Sequence, residues 1–286
     1  MSRARIHLSG DERARLAAAH PHLVAPPINT RVRVGVIIAV FAGIAAFGFW
    51  QLGFNFDRLG SGITQLAHFV TLMMPPDPGT QLPLYMHALG ETLAIAFLGT
   101  LGGALVAFPF GFLAAKNVIP NIFAHFTVRR VLDTVRGVDR LIWALIYVTV
   151  VGLGPFAGIL AIATASFAEL GKLFSEAVEA LDRKPVEGVV STGGSPVEAV
   201  RFGLLPQVLP VLASQLLYYF ESNARQSTIV GIVGAGGLGL HLAEQIRVLE
   251  WQKVSFLVLM MLIMVAVIDF ISSRLRFAII GKSRIG

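Results

Sequence analysis

Cysteine is absent from the 286 residues, which excludes disulfides, thiolate metal sites and cysteine nucleophiles. Charge is scarce too. Asp, Glu, Lys and Arg make up 14% of the chain, against about a quarter in soluble domains. The seven histidines are scattered, with no H-E-x-x-H or comparable ligand spacing, so no metal site is expected. What is present is apolar: 55% of residues are hydrophobic and the mean hydropathy is +0.72. The charge deficit is concentrated in long apolar blocks, the pattern of an all-α integral membrane protein whose partner is the lipid bilayer. A net charge of +6 would suggest nucleic acid for a soluble domain. Here the basic residues lie in tails and loops, where they set topology, so no nucleic-acid partner is expected.

Residues 1–33 form a polar, basic tail, too long for a signal-peptide n-region, with Ser9 and Glu12 spaced as a capping box. Val34–Leu52, closed by the interfacial aromatic Trp50, is the first predicted span. Residues 53–83 carry one basic residue, Arg58, and the turn-rich PPDPG at 75–79, which reads as an outer loop. Leu84–Ala115 exceeds the roughly 30 Å hydrocarbon core, so it is expected to tilt, protrude or kink at Pro109. Gly99, Gly102, Gly103 and Ala107 would let a neighbouring helix approach closely. Glu91 near its outer end is read as a structural hydrogen-bonding group.

Residues 116–140, rich in Arg, are expected inside with an amphipathic helix. Leu141–Ala168 is broken at Gly152-Leu153-Gly154-Pro155, so it is either one long span or two joined by a tight outer turn. Arg274, Arg276, Lys282 and Arg284 place the C-terminal end inside. With both termini cytoplasmic the number of crossings must be even, which selects two here and about six transmembrane helices in all. The fifth is Leu204–Val233, with Pro206 in its first turn, and the last is Val254–Phe270.

Three stretches carry chemistry. GAGGLG at 234–239 matches G-x-G-x-x-G by letter, but no strand–helix alternation surrounds it. It reads instead as a tight re-entrant, gating turn at Gly234, Gly236 and Gly237. Gly281-Lys282-Ser283 resembles the end of a P-loop, yet Arg276 stands where the first glycine is required, so this chain has no ATP site of its own. The fifth span is polar in its middle: Glu221, Asn223, Arg225, Gln226, Ser227 and Thr228. Glu221 and Arg225, four apart, share a helix face. Ionisable groups inside a span point to a translocation pathway; a self-satisfied ion pair that packs the bundle is the other reading.

Between the apolar blocks lies EGVVSTGGSPVEAVRFGLLP, Glu187–Pro206. It resembles the EAA loop of ABC-importer permeases, E-A-A, three residues, G, nine residues, I-x-L-P. Glu187, Gly193, Leu205 and Pro206 match at the right spacing; Gly188 and Val189 replace the alanines and Gly203 the isoleucine. GETLAIAFLGTLGG from Gly90, LIWALIYVTVVGLGPFAGILA from Leu141 and NARQSTIVGIVGAGGLG from Asn223 are similar to phosphonate-import permeases.

The resemblance implies a type I ABC-importer permease fold, a five-helix core over 84–280 with an added N-terminal helix, in the bacterial inner membrane. It implies a homodimer, two ATP-binding subunits and an extracytoplasmic binding protein, with ATP and Mg held by the partner subunit and no cofactor here. The loop 183–206, with Glu187, Gly193, Gly194, Leu205 and Pro206, would couple to the ATPase. The cargo implied is phosphonate, phosphite or phosphate. Alternatives are a permease for methionine or an osmolyte, or an ion-coupled secondary transporter. No convergent catalytic cluster suggests an enzyme.

Overall fold

The computed structural model describes residues 28–53, 56–118 and 122–283, all helices and turns without a strand. The expected Ser9–Glu12 capping box lies outside the described residues. The chain divides near Phe69 into two units. The first contains α1 (Ile28–Gln51) and most of α2 (Phe56–Leu72). Along α1, Val34, Ile37, Phe41, Ile44 and Trp50 all point outward, as suits a helix surrounded by lipid. α2 replaces the expected outer loop. Ile63, Leu66 and Val70 recur every three or four residues among Ser61, Thr64 and Gln65, an amphipathic helical stripe. Scarcity of Lys and Arg decides the side of the membrane, not the conformation.

The second unit opens with α3 (Leu82–Leu113), a 32-residue helix running through Pro109 without interruption. α4 (Ile122–Arg136) and α5 (Arg140–Val151) follow, then α6 (Pro155–Glu179). α3 and α6 are parallel and closely apposed. A Cβ on Gly103 would meet the Ala163 carbonyl oxygen at 2.6 Å and one on Gly111 the Phe174 Cβ at 2.7 Å. Without a hydrophobic drive inside lipid, such backbone-level approach is what holds helices together.

α5 alone, 12 residues or about 18 Å, is short for a roughly 30 Å core. It is completed by α4. Arg129 pairs with Glu179 at 2.9 Å, Asp133 with Lys172 at 2.7 Å, Arg140 with Glu169, and Tyr147 with Thr164 at 2.8 Å. The partner number falls as the chain advances, so α4 and α5 together run antiparallel to α6. Asp139 caps α5 by accepting the Leu141 N–H at 2.8 Å. The predicted break at Gly152–Gly154 is therefore a hairpin turn, and the alternative of one long span does not hold.

α7 (Lys184–Ser191), one helical turn at Pro196–Glu198 and a wider π-helical stretch Ala199–Leu204 lead into α8 (Leu205–Val230). α8 runs antiparallel to α3: Leu204, Val208 and Leu212 pack with Ala104, Ala107 and Ala115, and Ala224 with Ala96. A Gly-rich turn, the short α9 (Gly237–Arg247) and α10 (Trp251–Ser283) complete the chain. α10 is longer than the expected Val254–Phe270 because the helix continues through its basic end. Among the described residues, five helices are long and apolar enough to cross a membrane, with Arg140–Val151 as a shorter apolar helix.

Candidate functional site

At the basic end of the second unit, α7 and the π-helical stretch fold over each other. Pro185 occupies the first turn of α7, and the Lys184 N–H is accepted by Asp182. Glu187 lies in that first turn, exposed, where a carboxylate opposes the positive helix end. The helix runs through Gly188 and Val189 despite their poor propensity, and Val186 packs from it against the cluster of Leu204 and Val208. A Cβ on Gly203 would meet the Val186 Cα at 2.8 Å, so the glycine in place of isoleucine is what lets the two segments touch. Gly193, at φ 88°, makes the turn between them, and Gly194 N–H closes it on the Val189 carbonyl at 3.1 Å.

Ser195 then caps the next turn in a full capping box: Glu198 accepts from the Ser195 N–H at 2.7 Å, and Ser195 Oγ accepts from the Glu198 N–H. The Ser195 N–H and, second, the Ser195 hydroxyl, which donates to the same oxygen at 2.8 Å, hold the Glu198 carboxyl below the usual carboxylate range. Pro206, exposed, starts α8, and Leu205 is half-buried beside it. The loop presents bare apolar side chains to its surroundings: Val197 is 75% and Phe202 60% exposed.

The polar stretch of α8 divides by face. Asn223 is fully buried and joins four helices: it donates to Thr100 Oγ1 and Ser166 Oγ, each at 2.8 Å, and accepts from Arg140 at 2.7 Å. Arg140 also donates to Glu169. Ser227 is buried and bonds back to the Ala224 carbonyl, and Thr228 is half-buried. Glu221, 7% exposed, accepts from Arg225 at 3.0 Å and from Arg276 at 3.1 Å. The predicted i,i+4 pair is present, and a second arginine from α10 joins it. Arg225 itself is exposed, on the same side of α8 as Tyr218, Ser222, Gln226 and Ile229.

Ser222 and Gln226 line a 260 Å³ cavity with Arg136, Asp139, Arg140 and Glu169. The last four and Ser222 lie outside the residues that the sequence points to, because the arginines read as topology signals and Glu169 follows directly on the apolar block. The signal available was Asp139-Arg140 directly before a span and Glu169 within the next one.

The two Gly-rich motifs meet at the opposite end. Gly234, Gly236 and Gly237 all take positive φ, 101°, 81° and 69°, the left-handed region open to glycine. The Gly154 N–H donates to the Gly234 carbonyl at 3.0 Å, and a Cβ on Gly158 would meet the Ala235 carbonyl oxygen at 2.8 Å. The turn leads into the N-terminus of α9, capped from α3: Gly237 N–H donates to Glu91 at 3.1 Å and Leu238 N–H to Thr92 at 2.9 Å. Glu91 thus has the structural role expected of it.

The chain is similar to known proteins. Residues 107–284 match the family model described as binding-protein-dependent transport system inner membrane component. A putative phosphite transport system permease protein of Stutzerimonas stutzeri, HtxC, is 39% identical over 86% of this chain and 87% of its own length. The phosphite transport system permease protein PtxC of the same organism is 33% identical over 84% and 87%. A phosphate-import permease protein of Mycolicibacterium smegmatis, PhnE, is 35% identical over 87% of this chain but 47% of its own length. Among solved structures, the inward-facing MetNI methionine ABC transporter aligns with a TM-score of 0.62 at 23% identity, covering 70% of this chain and 97% of that one.

Proposed function

From the premise that this chain belongs to the family of binding-protein-dependent transport system inner membrane components, we propose that it forms the translocation pathway of an importer for phosphite, phosphonate or phosphate. That it is a multi-pass permease subunit of an ABC importer follows from the family and its relatives. The oxyanion cargo rests on the phosphite and phosphate relatives together with one feature of the site, the exposed polar side of α8 carrying Ser222, Arg225 and Gln226. A guanidinium flanked by uncharged donors suits a tetrahedral oxyanion. Glu221, awkward for an anion route, is covered by two arginines.

Transport of this kind needs partners. An ATP-binding subunit would dock on the loop 183–206, where Val197 and Phe202 offer apolar surface beside the exposed Glu187. ATP and Mg would be held there and none here. A second permease subunit, taken as a copy of this chain, would close the pathway along α8, and a binding protein would deliver cargo. Lys116, Arg129, Arg183, Lys184 and Arg201 crowd the end bearing this loop, so that end is assigned to the cytoplasm, with both termini there. Movement is rigid-body gating, with the Gly234–Gly237 turn as a hinge at the outer end.

The test is uptake by proteoliposomes holding the permease, its ATPase and its binding protein. ATP-dependent accumulation of phosphite, methylphosphonate or phosphate is expected. Accumulation of methionine or an uncharged osmolyte, with none of the three oxyanions, defeats the reading.

A further inference from the structure

The cavity between α4, α5, α6 and α8 is lined by an exposed arginine, Arg136, whose charge acts on Asp133 one turn earlier. Arg136 ends α4, and the turn at Gly137-Val138 carries the chain to Asp139 and Arg140. Arg140 is committed, donating to both Glu169 and Asn223. Arg136 makes no hydrogen bond or ion pair among the described residues, although Asp139 lies on the same cavity wall. Asp139 instead caps α5 through the Leu141 N–H. Across the cavity stand the Ser222 hydroxyl and the Gln226 carboxamide, one helical turn apart on the exposed side of α8. All are hydrogen-bond donors.

We infer that this cavity is a transit site for a tetrahedral oxyanion, held by the Arg136 guanidinium with Ser222 and Gln226 as further donors. The inference rests on the oxyanion cargo proposed above and adds where, inside the permease, the cargo pauses. The volume of 260 Å³ falls just below the roughly 300–1,000 Å³ of pockets for drug-sized ligands, which suits a small ion with some water. Guanidinium geometry matches two oxygens of such an ion at once.

The cavity's formal charges cancel, Arg136 and Arg140 against Asp139 and Glu169. A trap for anions would carry excess positive charge. A neutral ring with one free guanidinium binds loosely, as a permeation site must if the ion is to leave again.

The experiment uses the permease–ATPase complex in nanodiscs and sodium phosphite as probe. Broadening of the phosphite ³¹P resonance reports binding, and uptake into proteoliposomes with the binding protein reports transport. Arg136→Gln, and separately the double change Ser222→Ala with Gln226→Ala, should abolish most of the broadening. Each should slow uptake by roughly tenfold, the scale of one lost charge-assisted contact, with the wild-type yield of co-purified ATPase. Arg136→Lys should recover part of both signals, which a packing defect would not. No broadening in the wild type, broadening unchanged in the variants, or loss of co-purified ATPase alongside uptake each overturns the inference. In those cases oxyanion uptake by the wild type leaves the importer reading standing; a wild type that imports no oxyanion removes that reading instead.

Discussion

Asn223 illustrates how a single uncharged side chain fixes the relation of helices that have no hydrophobic reason to associate. Its amide donates into α3 and α6 and accepts from α5, with its side chain wholly inside the bundle. Leaving buried polar groups unpaired costs about 1–3 kcal/mol each. Asn223→Leu keeps the branched shape, with more bulk, and removes all three bonds, stranding the Ser166 hydroxyl and one arm of Arg140; Thr100 keeps its own bond to Ala96. A loss of roughly 1–3 kcal/mol is expected, read as a lower thermal midpoint of the purified protein in detergent. An unchanged midpoint would show that the network carries no stability. The sequence made Glu221–Arg225 legible because four residues on one helix is a local relation. Arg276 was not legible as their partner: it lies 55 residues on and looked like part of a basic topology signal. The same limit hid Arg140 behind its position at the start of a span.

At the scale of elements, the loop 183–206 shows how close packing overrides propensity. Its first helix forms across Gly188 and Val189 because Gly203 gives Val186 room; a single-residue propensity cannot register that. The capping box at Ser195 follows from Ser195-Pro196-Val197-Glu198, an S-x-x-E spacing. Its folded-state consequence can be stated with sign. The folded pKa of Glu198 is depressed by the Ser195 bonds, so its contribution is present above the ordinary carboxylate range and lost as pH falls through the depressed value. Near neutrality the cap is therefore intact and insensitive to pH. Ser195→Ala removes both side-chain bonds and should speed amide exchange at Glu198 and Ala199 severalfold at neutral pH, by mass-spectrometric hydrogen exchange. Exchange at the wild-type rate would mean that packing on α7 alone holds the turn. α2, by contrast, is legible only in the stripe of Ile63, Leu66 and Val70, while turn chemistry at 75–79 and the lack of charge favour a loop.

The largest-scale property of the second unit is that its two ends differ in kind. One end is basic and carries the exposed loop; at the other, the hairpin turn at Gly152–Gly154 meets the Gly234–Gly237 turn, backbone on backbone. The sequence supplied both motifs and the even-crossing rule that separates the α5–α6 hairpin from a single span. It did not supply their contact, which depends on Gly158 admitting the Ala235 carbonyl and on α4 extending a short α5. If the basic end is cytoplasmic, three positions are constrained together. Leu153, 76% exposed at the hairpin turn, and Val248, 63% exposed after α9, must face outside, while Thr192 in the loop faces inside. The chain has no native cysteine, so Leu153→Cys, Val248→Cys and Thr192→Cys can each be labelled singly in whole cells. A membrane-impermeant maleimide should modify the first two directly and the third only after the cells are opened. Leu153→Cys and Thr192→Cys labelling from the same side would contradict the hairpin as a membrane crossing. Labelling of Thr192→Cys alone from outside would invert the molecule and remove the loop from any cytoplasmic ATPase.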